Sequence, residues 1–107
     1  MSLQWPPKDK DETLDYILDW NRALETDETI STASWKIVND SGEKVSFTPS
    51  STIAGLTSST QSNTTSTTTI YLAAGQDNKQ YKLYCSVTTN QGRTKERSVT
   101  IKIREYN

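Results

Sequence analysis

Alternation of apolar and polar residues is clearest in the last third of the chain. Tyr81, Leu83, Cys85, Val87 and Thr89 alternate with Lys82, Tyr84, Ser86 and Thr88, and Val99, Ile101 and Ile103 alternate with Thr100, Lys102 and Arg104. A period of two marks strands with one buried face. Asn90-Gln91-Gly92 lies between the two runs and carries turn chemistry, so 80–89 and 94–104 are predicted to form a long antiparallel hairpin. Residues 29–38 alternate in the same way, with Ala33, Trp35 and Ile37 on one face, and Asn39-Asp40-Ser41-Gly42 then signals a turn into a strand over 44–48.

The segment 14–20 reads two ways. As a helix it sets Leu14, Ile17, Leu18 and Leu24 on one stripe; as a strand it sets Leu14, Tyr16, Leu18 and Trp20 on one face and Asp15 and Asp19 on the other. Its aromatic and branched content favours the strand. Residues 21–28 are polar around Ala23 and Leu24 and are expected to form a helical turn or loop, with Leu24 plugging the core. Pro6 and Pro7 hold the first residues extended.

Between 57 and 69, eleven of thirteen residues are Ser or Thr, and no charge occurs from Val45 to Gln76. Thr is β-branched and favours strands, and the tract runs directly into Ile70-Tyr71-Leu72, so at least its second half is read as strand rather than as a disordered stalk. Strands at 52–56 and 64–72 with a hydroxylated solvent face are expected. A strand edge without charge lacks the usual protection against pairing with another chain: it is an ordinary Thr-rich outer strand or a docking edge. The predicted fold class is all-β, an antiparallel sandwich of about seven strands over 14–107, preceded by an extended N-terminal arm over 1–13. Its expected core is Tyr16, Leu18, Trp20, Trp35, Ile37, Phe47, Ile70, Leu72, Tyr81, Leu83, Cys85, Val87, Val99, Ile101 and Ile103.

A length of 107 residues suits one domain. With 12 basic and 13 acidic residues the net charge is −1, which provides no field to draw nucleic acid or an anionic membrane; neither is expected as a partner. The N-terminal residues lack the basic and apolar regions of a secretory signal. Charge is nevertheless unevenly spread: residues 1–30 sum to −5 and residues 79–107 to +5. Either the two ends dock onto charged neighbours, or the asymmetry is satisfied inside one domain by pairs between nearby strands.

The chain contains no histidine, which removes Ser-His-Asp and Cys-His nucleophile systems and imidazole metal sites. Cys85 cannot form an intrachain disulfide and falls on an inward face, where a thiol packs as a small apolar group. A calcium loop begun at Asp9 would need Gly and Glu where Leu14 and Trp20 stand. Paired-carboxylate glycoside hydrolysis needs a cleft that so small a sandwich does not build. No catalysis, cofactor or metal is expected. An exposed Trp5, Tyr71, Tyr84 or Tyr106 would have the chemistry to stack on a sugar ring, which keeps a glycan-binding adhesion or decoration module as the alternative.

Two resemblances carry the reading further. Leu72-Ala-Ala-Gly75, Tyr81-Lys-Leu83-Tyr-Cys85-Ser-Val87 and Asn90-Gln-Gly92 resemble the end of fibronectin type III and other immunoglobulin-like domains. The likeness implies that the Tyr81 hydroxyl returns to backbone near the loop before its strand. Trp5-Pro-Pro-Lys8-Asp9, Leu14-Asp15-Tyr16 to Asp19-Trp20, Asp27-Glu-Thr-Ile30 to Ser34-Trp35, and Thr88-Thr89 with Gln91-Gly92-Arg93-Thr94 to Glu96-Arg97-Ser98 resemble fibre-tail adaptor or tail accessory proteins of tailed bacteriophages. The Ser/Thr tract lies outside that pattern. The resemblance implies an immunoglobulin-like, non-enzymatic structural protein of the virion tail or neck, made in the host cytoplasm. Such a protein would be present in multiple copies and bind tail, neck or fibre proteins. Trp5, Pro6 and Pro7 as an arm, Tyr84 on a strand face, and Arg104 and Tyr106 as a tail are the expected partner contacts.

Overall fold

Strands form where the sequence alternates, and turns fall where Asn, Asp and Gly cluster. A computed structural model describes residues 3–104, and among these the chain forms ten strands in two sheets. The predicted hairpin is β9 (Gln80–Thr89) and β10 (Thr94–Arg104), paired antiparallel from Gln80 opposite Lys102 to Thr88 opposite Thr94. β4 (Ile30–Val38) lies on the other side of β9, with Trp35 opposite Cys85, and the short β5 (Lys44–Ser46) completes that side. Asn39 builds the β4–β5 turn, its side-chain oxygen accepting the amides of Ser41 and Glu43 at 3.0 and 2.9 Å. The second sheet runs in the order β3 (Leu14–Asp19), β8 (Thr67–Ala74), β7 (Leu56–Asn63), β6 (Ser51–Ile53). The segment 14–19 is thus a strand, as its alternation favoured. The fold class is all-β, a sandwich of two sheets.

All fifteen residues expected in the core are buried between the sheets. Trp5, Ile30 and Leu56 join them. Leu24 is partly buried and packs against this core. Thr68 and Ser58, from the Ser/Thr tract, also point inward and are fully buried. Thr68 Oγ1 accepts the Trp20 indole N–H at 3.0 Å and the Cys85 thiol at 3.4 Å, so this hydroxyl serves two polar groups that the core would otherwise strand. Burial pushes the Cys85 thiol up to about 11. Because the thiolate is the reactive species, Cys85 is expected to stay unlabelled by a disulfide reagent at pH 8 and to react fully in denaturant. Rapid labelling of the native protein would show that the two sheets open far more readily than this packing implies.

Three expectations need correction. The strand predicted at 52–56 runs through a tight turn, because Ala54 and Gly55 both take positive φ, 53° and 89°, a pattern that matches the twist of a two-residue hairpin. The chain therefore reverses there, and 56–63 becomes a full strand, where the expected strands ended at 56 and resumed at 64. This, with two short N-terminal strands, raises the count from about seven to ten. Finally, the described part of the expected arm pairs with the body of the domain. β1 (Leu3–Gln4) pairs parallel with Val99 and Thr100, and β2 (Lys8–Asp9) with Ile103 and Arg104. The stretch is extended, as the prolines require, but its edge-pairing partner is β10 of the same chain. Trp5 is 8% exposed and stacks near Tyr16 and Trp35, ring centroids 4.8 and 5.9 Å away. Lys8 is buried too, its ammonium donating to the carbonyls of Asp9 and Ala74 at 2.6 and 2.7 Å, and burial pushes its pKa below the usual value.

Candidate interaction surface

The Tyr81 hydroxyl fixes one end of the sandwich, donating to the carbonyl of Ala54 at 2.8 Å and accepting the amide of Gln76 at 3.0 Å. Gln76 lies in the loop between β8 and β9, so the hydroxyl returns to backbone where the resemblance placed it. The opposite end is fixed by polar contacts between the 20–29 segment and the β9–β10 turn. Asn90 receives the Thr29 amide on its side-chain oxygen at 2.9 Å and donates its own amide to the Thr29 carbonyl at 2.9 Å. Rigid ends leave the faces and edges of the sheets as the surfaces open to a partner.

Opposite charges at the two ends of the sequence meet inside this domain. Arg93 stands 3.5 Å from Glu25 and 3.7 Å from Glu28, Lys95 stands 4.0 Å from Glu28, and the Lys95 ammonium also donates to the Ala23 carbonyl. Arg97 lies over the Trp20 ring at 4.9 Å. The contacts join the 20–29 segment to the β9–β10 turn and the start of the last strand, rather than the first strand to the last. Glu28 is the buried member, and its carboxylate accepts the Glu25 amide at 2.9 Å and the Thr89 hydroxyl at 2.7 Å. The Glu25 amide, then Thr89, then Arg93 and Lys95 hold its pKa below the ordinary carboxylate value of 4.5. A carboxylate depressed on folding stabilises the native state above its unfolded pKa, and that contribution disappears as pH falls through the lower folded value. Glu28→Gln is therefore expected to be less stable than the wild type at pH 7 and to lose less further stability between pH 4.5 and 3. Urea unfolding at the three pH values measures it, and parallel losses in both proteins would refute the role given to this carboxylate.

The expected contact residues divide into two groups. Pro6 and Pro7 are exposed between β1 and β2, and Arg104, exposed at the end of β10, lies opposite Asp9 of β2. These three line one margin of the larger sheet, where the prolines and short strands cover the β10 edge. Trp5 shares that segment, but its ring is committed to the core and is not available to stack on a sugar. Tyr84 is away from this margin, half-buried on the outer face of the larger sheet with the Lys44 ammonium 4.0 Å and the Lys82 ammonium 5.5 Å from its ring centre. Lys44 also pairs with Glu96 at 2.8 Å, which makes this face charged. Tyr106 lies outside the described residues.

The smaller sheet presents a different outer face, carrying Thr52, Thr57, Thr67 and Thr69 together with the exposed Ile17 and Tyr71. Thr52 and Thr57 share a hydroxyl hydrogen bond of 2.7 Å across β6 and β7. Asp15 and Asp19 supply its charge, both on the outer strand β3. Sequence reading anticipated the hydroxyls but not the exposure of Ile17, whose single break in the alternation of 14–20 was the available signal. Among the described residues no group of three or more Cys, Asp or Glu is placed to hold a metal ion.

A third surface lies where both sheets end on the same side. β5 covers β4 only from Lys36 to Val38, with one further bond from the Phe47 amide to the Trp35 carbonyl, and β6 covers β7 only from Leu56 to Ser58. Between the uncovered halves is a cleft of about 280 Å³ lined by Ala33, Trp35, Pro49, Gln61, Ser62 and Asn63. The Gln61 side chain crosses its base, donating to the carbonyl of Phe47 and to Ser58 Oγ.

Comparison with protein families finds a match to the model of Gp77, described as podophage GP4 fiber-tail adaptor protein gp77, over residues 8–102. The match spans β2 to β10 and leaves out Trp5, Pro6 and Pro7. No curated protein matches the chain.

Proposed function

From the premise that the chain belongs to the podophage fibre-tail adaptor family Gp77, a family of structural proteins of the virion tail, we propose that it joins tail fibre to the tail or neck of the particle. The family match over residues 8–102 carries this reading. An adaptor works by holding two neighbours in fixed relation, and the architecture supports that task. Both ends of the sandwich are tied by buried or bidentate polar contacts, and the accessible surfaces differ in chemistry: a charged face around Tyr84 and Lys44, a hydroxyl face around Tyr71, and an uncharged edge cleft. Distinct surfaces allow one small domain to distinguish two partners. The proposed role is non-enzymatic and needs no cofactor, and the fold is read as immunoglobulin-like, with the protein present in multiple copies around the tail axis. Pro6, Pro7 and Arg104 are assigned to one neighbour and Tyr84 to another.

Mass spectrometry of purified particles tests this directly. The chain is expected at a fixed ratio to the portal subunit, and particles made without it are expected to carry fibre at less than a tenth of the normal ratio. Full fibre content in its absence would overturn the role. Tyr71 is 39% exposed on the hydroxyl face of the smaller sheet, which favours glycan adhesion as the second reading. Normal fibre content together with reduced binding to host cells would favour it.

A further inference from the structure

Four strand edges bound the two sheets, and they are protected unequally. The β10 edge is paired by β1 and β2 with two prolines between them. The β3 edge carries Asp15 and Asp19. The remaining two, β4 over Ser31–Ser34 and β7 over Ser59–Asn63, lie on the same side of the molecule, and neither stretch contains a charged residue, a proline or a glycine. Charge, proline and covering segments are the usual devices that stop strand edges from pairing; neither stretch carries a charge or a proline of its own, and Pro49 of the connection between β5 and β6 is the one proline among the residues lining the cleft between them.

The backbone at this edge is oriented outward. Trp35 directs its carbonyl away from β9, toward Phe47. Groups on one side of an antiparallel strand recur at every second residue, so Ala33 aims its N–H and C=O the same way, and no strand lies beside it there among the described residues. Beside Ala33 the cleft between the sheets is lined by Trp35, Pro49, Gln61 and Ser62. At about 280 Å³ it falls below the roughly 300–1,000 Å³ of a typical small-molecule site, but it has room for an apolar side chain carried by a strand.

Resting on the adaptor reading, we infer that the β4 edge accepts an extended, uncharged segment of another virion protein as an added strand, with an apolar side chain of that segment inserted between the sheets against Trp35. Outward backbone groups are satisfied by an extended chain better than by any other partner. The absence of charge from Ser31–Ser34 and from 45–76 selects a segment that is itself uncharged, since a charged side chain would be desolvated there without a counter-ion.

Lysine placed on this edge tests the inference in assembled particles. Thr32→Lys and Ser62→Lys are both at exposed positions, and Asp15→Lys puts the same side chain on the opposite edge. Each full-length variant is supplied to particles lacking the chain, and chain and fibre are quantified against portal. The Thr32→Lys and Ser62→Lys variants are expected to melt within about 2 °C of the wild type, as surface substitutions do, and to lower chain or fibre content at least tenfold, whereas Asp15→Lys leaves both unchanged. Normal content with both Thr32→Lys and Ser62→Lys would overturn the added strand while leaving the adaptor role intact, because that role fails only if particles without the chain keep their fibres. Equal loss with Asp15→Lys would also overturn it. Sedimentation of the isolated protein completes the test: a dimer abolished by Thr32→Lys would identify the occupant as a second copy, against the partner inferred here.

Discussion

Trp5→Ala is expected to destabilise the domain by about 3–5 kcal/mol, the cost of removing a buried aromatic side chain. For a domain of this length, whose whole stability is on the order of 5–15 kcal/mol, that loss lowers the melting midpoint by roughly 12 °C or more. The reason is the position of the ring, which closes the margin of the core between Tyr16 of the smaller sheet and Trp35 of the larger. Thermal unfolding followed by circular dichroism measures it. A change within about 1 kcal/mol, the range of a surface site, would mean that Trp5 leaves the core readily and that the first residues are a detachable arm after all. Deleting residues 1–10 should be harsher still. It removes the ring, uncovers β10 and leaves the Ala74 carbonyl without the Lys8 ammonium, so the truncated chain is expected to be unfolded or aggregated.

Gly75→Ala is the second large effect. Gly75 has φ +107°, and a Cβ built there would stand 2.8 Å from Cγ1 and 3.0 Å from Cδ1 of Ile103. Ile103 is fully buried on β10 and has little freedom to retreat. Backbone strain of about 1–3 kcal/mol and overpacking of about 1–3 kcal/mol together give an expected loss of roughly 2–5 kcal/mol. A double-mutant cycle separates the two parts. In an Ile103→Ala background the steric part should vanish and the backbone part remain, so Gly75→Ala should cost at least about 1 kcal/mol less there. Equal costs in both backgrounds would assign the whole effect to the backbone.

The main sandwich strands were legible because each presents one face to the core. Alternation over 80–89 and 94–104 requires no knowledge of the partner strand, since any sheet buries one side of it. The turns at Asn39 and Asn90 were legible for a similar reason: Asn39 Oδ1 and Thr89 Oγ1 accept backbone amides only a few residues on, Ser41 and Glu43 in one turn and Gln91 and Arg93 in the other. Tyr81 was readable from its neighbours by resemblance, and so were the Asp-Trp, Thr-Ile and Gly-Arg-Thr segments that pointed to phage tail adaptors. The candidate surface was less legible. An absence of charge from 45 to 76 marked an unprotected edge somewhere in the tract, but composition does not say which strand of a sheet is outermost.

What the sequence by itself determined is therefore the fifteen core residues of the alternating strands, the all-β class and the family, all of which depend on local period and local motif. Only the tertiary structure decided that Ala54 and Gly55 reverse the chain, that Thr68 turns its hydroxyl inward to Trp20 and Cys85, and that Trp5 and Lys8 belong to the body of the domain. It also decided that Glu25 and Glu28 meet Arg93 and Lys95, and that the open halves of β4 and β7 fall on one side. Each of these depends on which distant segment fills a space or satisfies a polar group, a quantity set by sheet order and register rather than by any window of sequence.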